Sequence, residues 1–236
     1  MAVKKVELAE IGAVTLYKRK GARAIRLSVN AAGEVRVSLP YWLPYDAGAK
    51  FALAKAGWIR AQLQTRSVSL LTHGQPIGKS NHLYFASSPD AARITTRVGA
   101  SEVRVTYPQH LSASDRSVQK AAQTAAIRAL RNQAERLLPQ RLRALAAARG
   151  FTYKSVYVKQ LTGRWGSCDT DKNIVLNLFL MQLPWHLIDY VLLHELTHTR
   201  VLHHGPDFWT EFERHLPHAK QLRREIRRYR PAVNAV

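Results

Sequence analysis

Residues 184–204 constrain this chain more than any other segment, because they place closely spaced histidines on a strongly apolar repeat. Pro184 suits the first turn of a helix, where no backbone N–H is needed. After it, apolar residues recur at the spacing of a helix face, namely at Leu187, Ile188, Val191, Leu192 and Leu196. The pattern predicts an amphipathic helix that also carries His194 and His198.

The same helix contains the pattern His-Glu-x-x-His, which occurs once in the chain, at His194, Glu195 and His198. Residues four apart share one face of a helix, so both imidazoles can reach one ion. Zinc binds nitrogen ligands well, and it lowers the pKa of its bound water to near seven. The motif therefore predicts a zinc site in which Glu195 takes a proton from the water that hydrolyses a peptide bond.

A third ligand is expected from either His203 or His204, and three protein ligands leave a position open for catalysis. His204 lies ten residues after His194 and is followed by Gly205, which eases a sharp turn. Metzincins share this spacing but place a glycine seven residues after the first histidine. Because Val201 occupies that position here, the metzincin class is excluded.

Three further residues near the motif are weaker candidates for a functional role. Arg164 precedes a tryptophan in a turn-rich segment, where it either steadies a substrate carbonyl or carboxylate, or binds a backbone carbonyl. His203, if it is not a ligand, is a substrate-contacting residue, part of the pocket wall or an exposed side chain. Cys168 as a fourth ligand would close the site, so a small residue in a turn is the preferred interpretation.

The net charge is the unusual feature of the composition, since 36 Lys and Arg face 16 Asp and Glu, which gives +20. Such an excess attracts polyanions. It supports an alternative hypothesis of a nucleic-acid-associated protein, or of a protease guided to its substrates by DNA. The sequence has no zinc-finger spacing and no recognisable DNA-reading module to strengthen that alternative.

The single cysteine excludes an internal disulfide framework and favours a reducing cytoplasm. The first ten residues lack the apolar core of a signal peptide. No stretch reaches the roughly 18–20 apolar residues of a membrane span. We therefore expect a cytoplasmic protein without membrane contact.

Hydrophobic periodicity predicts an α+β chain. A hairpin is expected where two alternating runs flank Ala31-Ala32-Gly33, followed by one helix that Asp46 caps, with Phe51, Ala54, Trp58, Ile59 and Leu63 on one face. A long helix is expected from about residue 114 to Gly150, in which Pro139 either causes a kink or begins a second helix. Strands are expected at 155–160 and 173–178. We divide the chain into a β-rich N-terminal region, 1–110, and a metallopeptidase domain, 111–236.

Four blocks of the sequence resemble the YgjP-like metallopeptidases, a family related to SprT-like and WLM zinc proteases. The order and spacing of the blocks agree, at residues 164–168, 173–177, 190–195 and 204–209. The resemblance implies a zincin-like catalytic domain with a small sheet packed on the motif helix. It also implies zinc-dependent cleavage of a peptide or protein substrate, with His204 rather than His203 as the third ligand.

Overall fold

The computed structural model describes residues 3–30, 33–65, 70–229 and 233, and it confirms the predicted α+β class. The strands are β1 (Val3–Leu8), β2 (Gly12–Arg19), β3 (Arg26–Val29), β4 (Val35–Pro40), β5 (Pro76–Ile77), β6 (Asn81–Ser88), β7 (Thr95–Val98), β8 (Glu102–Pro108), β9 (Ser155–Lys159), β10 (Gly166–Cys168) and β11 (Asn173–Asn177). The helices are α1 (Tyr45–Ala54), α2 (Ala56–Thr65), α3 (Arg116–Arg149), α4 (Trp185–His198), α5 (Pro206–His215) and α6 (Ala219–Ile226). A 3-10 helix, Leu178–Gln182, connects β11 to α4. The chain forms two compact units that divide between residues 69 and 70.

The first unit contains a four-stranded sheet with the strand order β1-β2-β4-β3. Strands β3 and β4 pair antiparallel, with Val29 opposite Val35, which confirms the predicted hairpin. In its predicted link, Ala31 and Ala32 lie outside the described residues, and Gly33 adopts a φ of 80°. Because side chains alternate across a strand, one face of this sheet supplies a fully buried core that includes Val14, Leu16, Val37 and Leu39.

The prediction of a single helix capped by Asp46 is wrong, because α1 already begins before Asp46 and an interruption at Lys55 separates α1 from α2. The predicted face is also shifted, since Trp58 is 46% exposed. Ile59 of the predicted face is buried in the unit's core as expected, and the core also contains small residues outside that face, such as Ala52. Helix α1 packs closely on the sheet at Gly48, where a Cβ would lie 2.8 Å from Leu39 Cδ2.

The second unit contains a four-stranded sheet with the order β5-β6-β8-β7, which repeats the pairing pattern of the first sheet. In both sheets a parallel pair at the centre is flanked by two antiparallel pairs. Helix α3 contributes its buried stripe, with Leu130, Leu138 and Leu142, to the same core. It continues through Pro139 and ends at Gly150, whose φ of 68° matches the expected end signal.

The structure divides the chain differently from the sequence-based boundary near residue 110. Strands β5–β8 share a core with α3, in which Leu83 and Val103 belong to the same cluster as Val118 and Ala122. The change of composition near residue 114 therefore marks the passage from strands to a helix within one unit. The extent of the metallopeptidase domain itself stays a prediction.

A three-stranded sheet and α4, the helix that carries His194, Glu195 and His198, lie in the second unit. Strand β11 lies between β10, with which it is antiparallel, and β9, with which it is parallel, so both predicted strands are confirmed. Helix α4 begins directly after Pro184, as predicted. Arg141 of α3 donates two hydrogen bonds to Asp189 of α4, at 2.8 and 2.6 Å, and ties the two helices together. Within the described ranges, no helix is both long and apolar enough to cross a bilayer.

Candidate metal centre

Three histidines meet beside the last turns of α4. His194 and His198 lie on one face of that helix, and the turn between α4 and α5 brings His204 toward them. The candidate ligand atoms of the three side chains all lie within 4.8 Å of one another. The Nε2 atoms of His194 and His204 face each other at 2.9 Å. The structure thus brings together the three residues whose spacing suggested a metal site.

Phe208 of α5 packs against all three imidazoles. Its side chain is fully buried, and its ring centre lies 4.9, 4.6 and 4.8 Å from those of His194, His198 and His204. Pro206 at the start of α5 fixes the direction in which the helix leaves the turn. The sequence analysis included Phe208 only as part of the block 204–209 of the family resemblance, and its contact with the histidines needs the three-dimensional structure to be seen.

The hydrogen bonds of the site, and the buried polar atoms that lack them, are those expected of side chains that bind a metal ion. His198 Nδ1 lies 3.1 Å from the carbonyl oxygen of Val201, an arrangement that fixes the ring and leaves Nε2 for a ligand. In the described part of the chain, His194 Nδ1 and Glu195 Oε2 are buried without a hydrogen-bond partner. Because a buried polar atom without a partner is costly, a cation near Glu195 Oε2 would stabilise that carboxylate.

Burial also sets the charge state of the site. It lowers the pKa of His194 to about 3, and the nearby charges of His198 and His204 act in the same direction. Burial lowers the pKa of His198 and of His204 as well. For Glu195, burial raises the pKa to about 8, and the opposite charge of Arg164 works against the rise. Neutral imidazoles keep the lone pairs that a metal needs, and a cation would favour the ionised carboxylate.

Strand β10 passes directly over Glu195, which is only 4% exposed. A Cβ on Gly166 would lie 2.7 Å from Glu195 Oε1 and 2.8 Å from its Cγ. Those distances are shorter than real Cβ contacts, so only glycine leaves the carboxylate its present position. Gly166 belongs to a block that the family resemblance singled out, but its contact with Glu195 needs the three-dimensional structure to be seen.

A cleft of about 510 Å³ opens beside the histidines and Glu195. Arg164 lines this cleft, on a loop that the buried Asn177 fixes by donating hydrogen bonds to the carbonyl oxygens of Leu161, at 3.0 Å, and of Arg164, at 2.8 Å. His203 is exposed and is not among the residues that line the cleft. Of the two predicted contact residues, the structure therefore brings only Arg164 to the cleft.

Cys168 lies in strand β10 and not in a turn, which corrects the preferred sequence interpretation. It lines the cleft, but the candidate metal group consists of the three histidines without it. Burial raises the pKa of its thiol to about 11, with a further contribution from the charge of Glu195. A thiol with so high a pKa stays protonated at neutral pH, so Cys168 is a poor nucleophile.

Three further residues that line the cleft, Tyr190, Arg223 and Arg227, were not predicted from the sequence. Tyr190 of α4 is 6% exposed and stacks on His194, with ring centres 6.1 Å apart. Arg223 and Arg227, within and just after α6, also line the cleft. The sequence shows several arginines near the C-terminus, but only the packing of α6 shows which of them line the cleft.

Comparison with known families matches residues 23–229 to the YgjP-like family, described as a YgjP-like metallopeptidase domain. Because the match spans most of the chain, the protein belongs to this family, and the resemblance seen in the sequence is confirmed. The chain is accordingly a metallopeptidase, a hydrolase that acts on peptides or proteins. This class requires a divalent metal ion, and the three histidines form a group able to hold one.

Two solved structures, both described as metallopeptidase zymogens, are similar to part of the chain. Pyrococcus abyssi abylysin is 23% identical, over 38% of this chain and 91% of its own, with a TM-score of 0.35. Methanocaldococcus jannaschii jannalysin is 18% identical, over 38% of this chain and 92% of its own, with a TM-score of 0.34. Comparison with curated proteins found no match.

Replacing Gly166 with alanine tests the close contact between β10 and Glu195. The added Cβ must displace the carboxylate, so we expect peptidase activity to fall on the order of 100-fold, the cost of a misplaced catalytic group. Metal content should stay unchanged, because the three atoms nearest to the added Cβ all belong to Glu195. Gly57→Ala is the matched control, since a Cβ there meets nothing within 4 Å. Full activity of Gly166→Ala would show that Glu195 does not need this position.

Proposed function

We propose that the protein is a zinc-dependent peptidase in which His194, His198 and His204 hold the ion and Glu195 is the general base. The observation that carries this proposal is the grouping of three ligand atoms within 4.8 Å of one another beside a buried carboxylate. Zinc is favoured because three imidazoles with one open position form a typical catalytic zinc site. Zinc bound in this way supplies a Lewis acid and a water ligand of lowered pKa.

Within this proposal, each residue around the cleft has a distinct task. Glu195 accepts a proton from the attacking water and passes it to the nitrogen of the leaving amine. Arg164, which lines the cleft on a loop held by Asn177, is the candidate that contacts the substrate carbonyl as negative charge develops on its oxygen. Phe208 holds the three imidazoles in place, which reduces the reorganisation that accompanies the reaction.

The alternative of a nucleic-acid-associated protein rests on the net charge of +20 alone. No observation on the described residues adds to it, whereas the peptidase proposal rests on family membership and on the geometry of the candidate metal centre. The expected cytoplasmic location likewise stays a prediction, which the single cysteine motivates.

Zinc content measured by atomic emission tests the ligand set. We expect about one zinc per chain in the purified, zinc-supplied protein, and a loss of most of it in His204→Ala, because two imidazoles hold zinc far more weakly than three. His203→Ala is the matched control, since the neighbouring histidine is exposed and outside the cleft. Retention of zinc by His204→Ala together with its loss from His203→Ala would contradict the proposed ligands.

Replacing Glu195 with glutamine tests the proposed general base. The amide keeps the size of the side chain but cannot accept the proton, so kcat/KM should fall by at least about 100-fold, the typical contribution of such a group. Zinc content should remain that of the unaltered protein. Glu135→Gln is the matched control, because Glu135 is exposed on α3 and has only a distant ion pair, at 3.9 Å from Arg131. Undiminished hydrolysis by Glu195→Gln would refute the assignment.

A further inference from the structure

The charge distribution inside the cleft is strongly one-sided. Among the described residues that line it, the only carboxylate is that of Glu195, which the proposed reaction uses. Three arginines line the same cleft: Arg164 on one side, and Arg223 and Arg227 from α6. Because a concave, partly apolar site weakens screening and concentrates the field of its charges, this cleft attracts an anionic group near the reacting atoms.

Helix geometry explains why these two arginines, and not their neighbours, face the cleft. Arg223 and Arg227 are four residues apart and therefore lie on the same face, together with the buried Ile226. Arg224, next in sequence to Arg223, is exposed and does not line the cleft. The two arginines therefore line the cleft because they share one face of α6, and not because the C-terminal part of the chain is rich in arginine.

Arg223 is held in position by an aromatic ring and forms no ion pair with a described carboxylate. Its guanidinium carbon lies 4.8 Å from the ring centre of Trp209, a cation–π contact that orients the side chain. No carboxylate in the described ranges forms an ion pair with it.

We propose that Arg223 and Arg227 bind a carboxylate of the peptide substrate, so that the peptidase prefers peptides carrying a carboxylate close to the cleaved bond. The inference rests on the proposed function and names its substrate class. The guanidinium group matches a carboxylate through two parallel hydrogen bonds, a geometry that lysine does not offer. An acidic side chain and the α-carboxylate at the end of a peptide both supply this chemistry.

Peptide binding to the zinc-loaded Glu195→Gln protein, measured by fluorescence anisotropy, tests the inference without requiring turnover. Four labelled peptides are compared, with Asp and Glu or Asn and Gln at the internal positions, each with a free or an amidated C-terminus. The acidic or free-carboxylate peptides should bind about tenfold more tightly than the neutral amidated peptide, the ratio expected for one charge-assisted hydrogen bond. Whichever peptide binds more tightly shows whether the site recognises an acidic side chain or the α-carboxylate at the C-terminus.

Further substitutions, made in the Glu195→Gln protein, assign the preference to the cleft. Arg223→Gln and Arg227→Gln should each remove most of the preference, and Arg223→Lys should retain part of it because the charge remains. Arg224→Gln is the matched control and should leave the preference unchanged. Equal binding of acidic and neutral peptides overturns the inference. An equal loss in Arg224→Gln and Arg223→Gln also overturns it, because the preference would then come from general surface charge.

Hydrolysis of the same four peptides by the zinc-loaded protein with Glu195 intact separates the two proposals. Faster cleavage of the carboxylate-bearing peptides than of the neutral one supports both. A carboxylate preference in binding without any hydrolysis overturns the proposed function and leaves the carboxylate site standing. If the carboxylate-bearing and neutral peptides are hydrolysed at the same rate and bind equally well, the inference is overturned but the proposed peptidase function is retained.

Discussion

Helix α4 is buried along almost its whole length while it holds two imidazoles and a carboxylate at one small cleft. Its apolar side chains Leu187, Ile188, Leu192 and Leu196 are fully buried, and each contributes about 1.5–3 kcal/mol to stability by leaving water. The buried Glu195 oxygen without a partner costs about 1–3 kcal/mol. The apolar contacts exceed this cost, so the fold can keep a carboxylate ready beside the candidate metal centre.

The elements whose periodicity is strong were predictable from the sequence. The alternation around Val29 and Val35, the long stripe that ends at Gly150 and the repeat after Pro184 each reflect burial of one face, which local sequence records. The interruption at Lys55 was not predictable, because the apolar residues from Phe51 to Leu63 recur across it at helical spacing. The repeated strand order of the two four-stranded sheets also left no visible signal, since different sequences can satisfy the same pairing.

Some features of the candidate site follow from local sequence and could be predicted, whereas others depend on the packing of distant elements and could not. The grouping of His194 with His198 follows from helix geometry alone, and Gly205 pointed to the turn that brings His204 near. The contact of Gly166 with Glu195 and the orientation of Arg223 depend on how distant elements pack, which spacing does not encode. Composition showed the excess of positive charge, but only the packing of α6 shows that Arg223 lines the cleft and Arg224 does not.

The zinc K-edge X-ray absorption spectrum of the zinc-loaded protein tests the central claim, an open site made by three imidazoles, most directly. The account predicts three imidazole nitrogens and one further light atom at about 2.0–2.1 Å, with no sulfur. Sulfur at about 2.3 Å, the zinc–thiolate distance, would place Cys168 in the coordination sphere. That result, or a fourth imidazole, would define a closed structural site and contradict the peptidase mechanism proposed for Glu195.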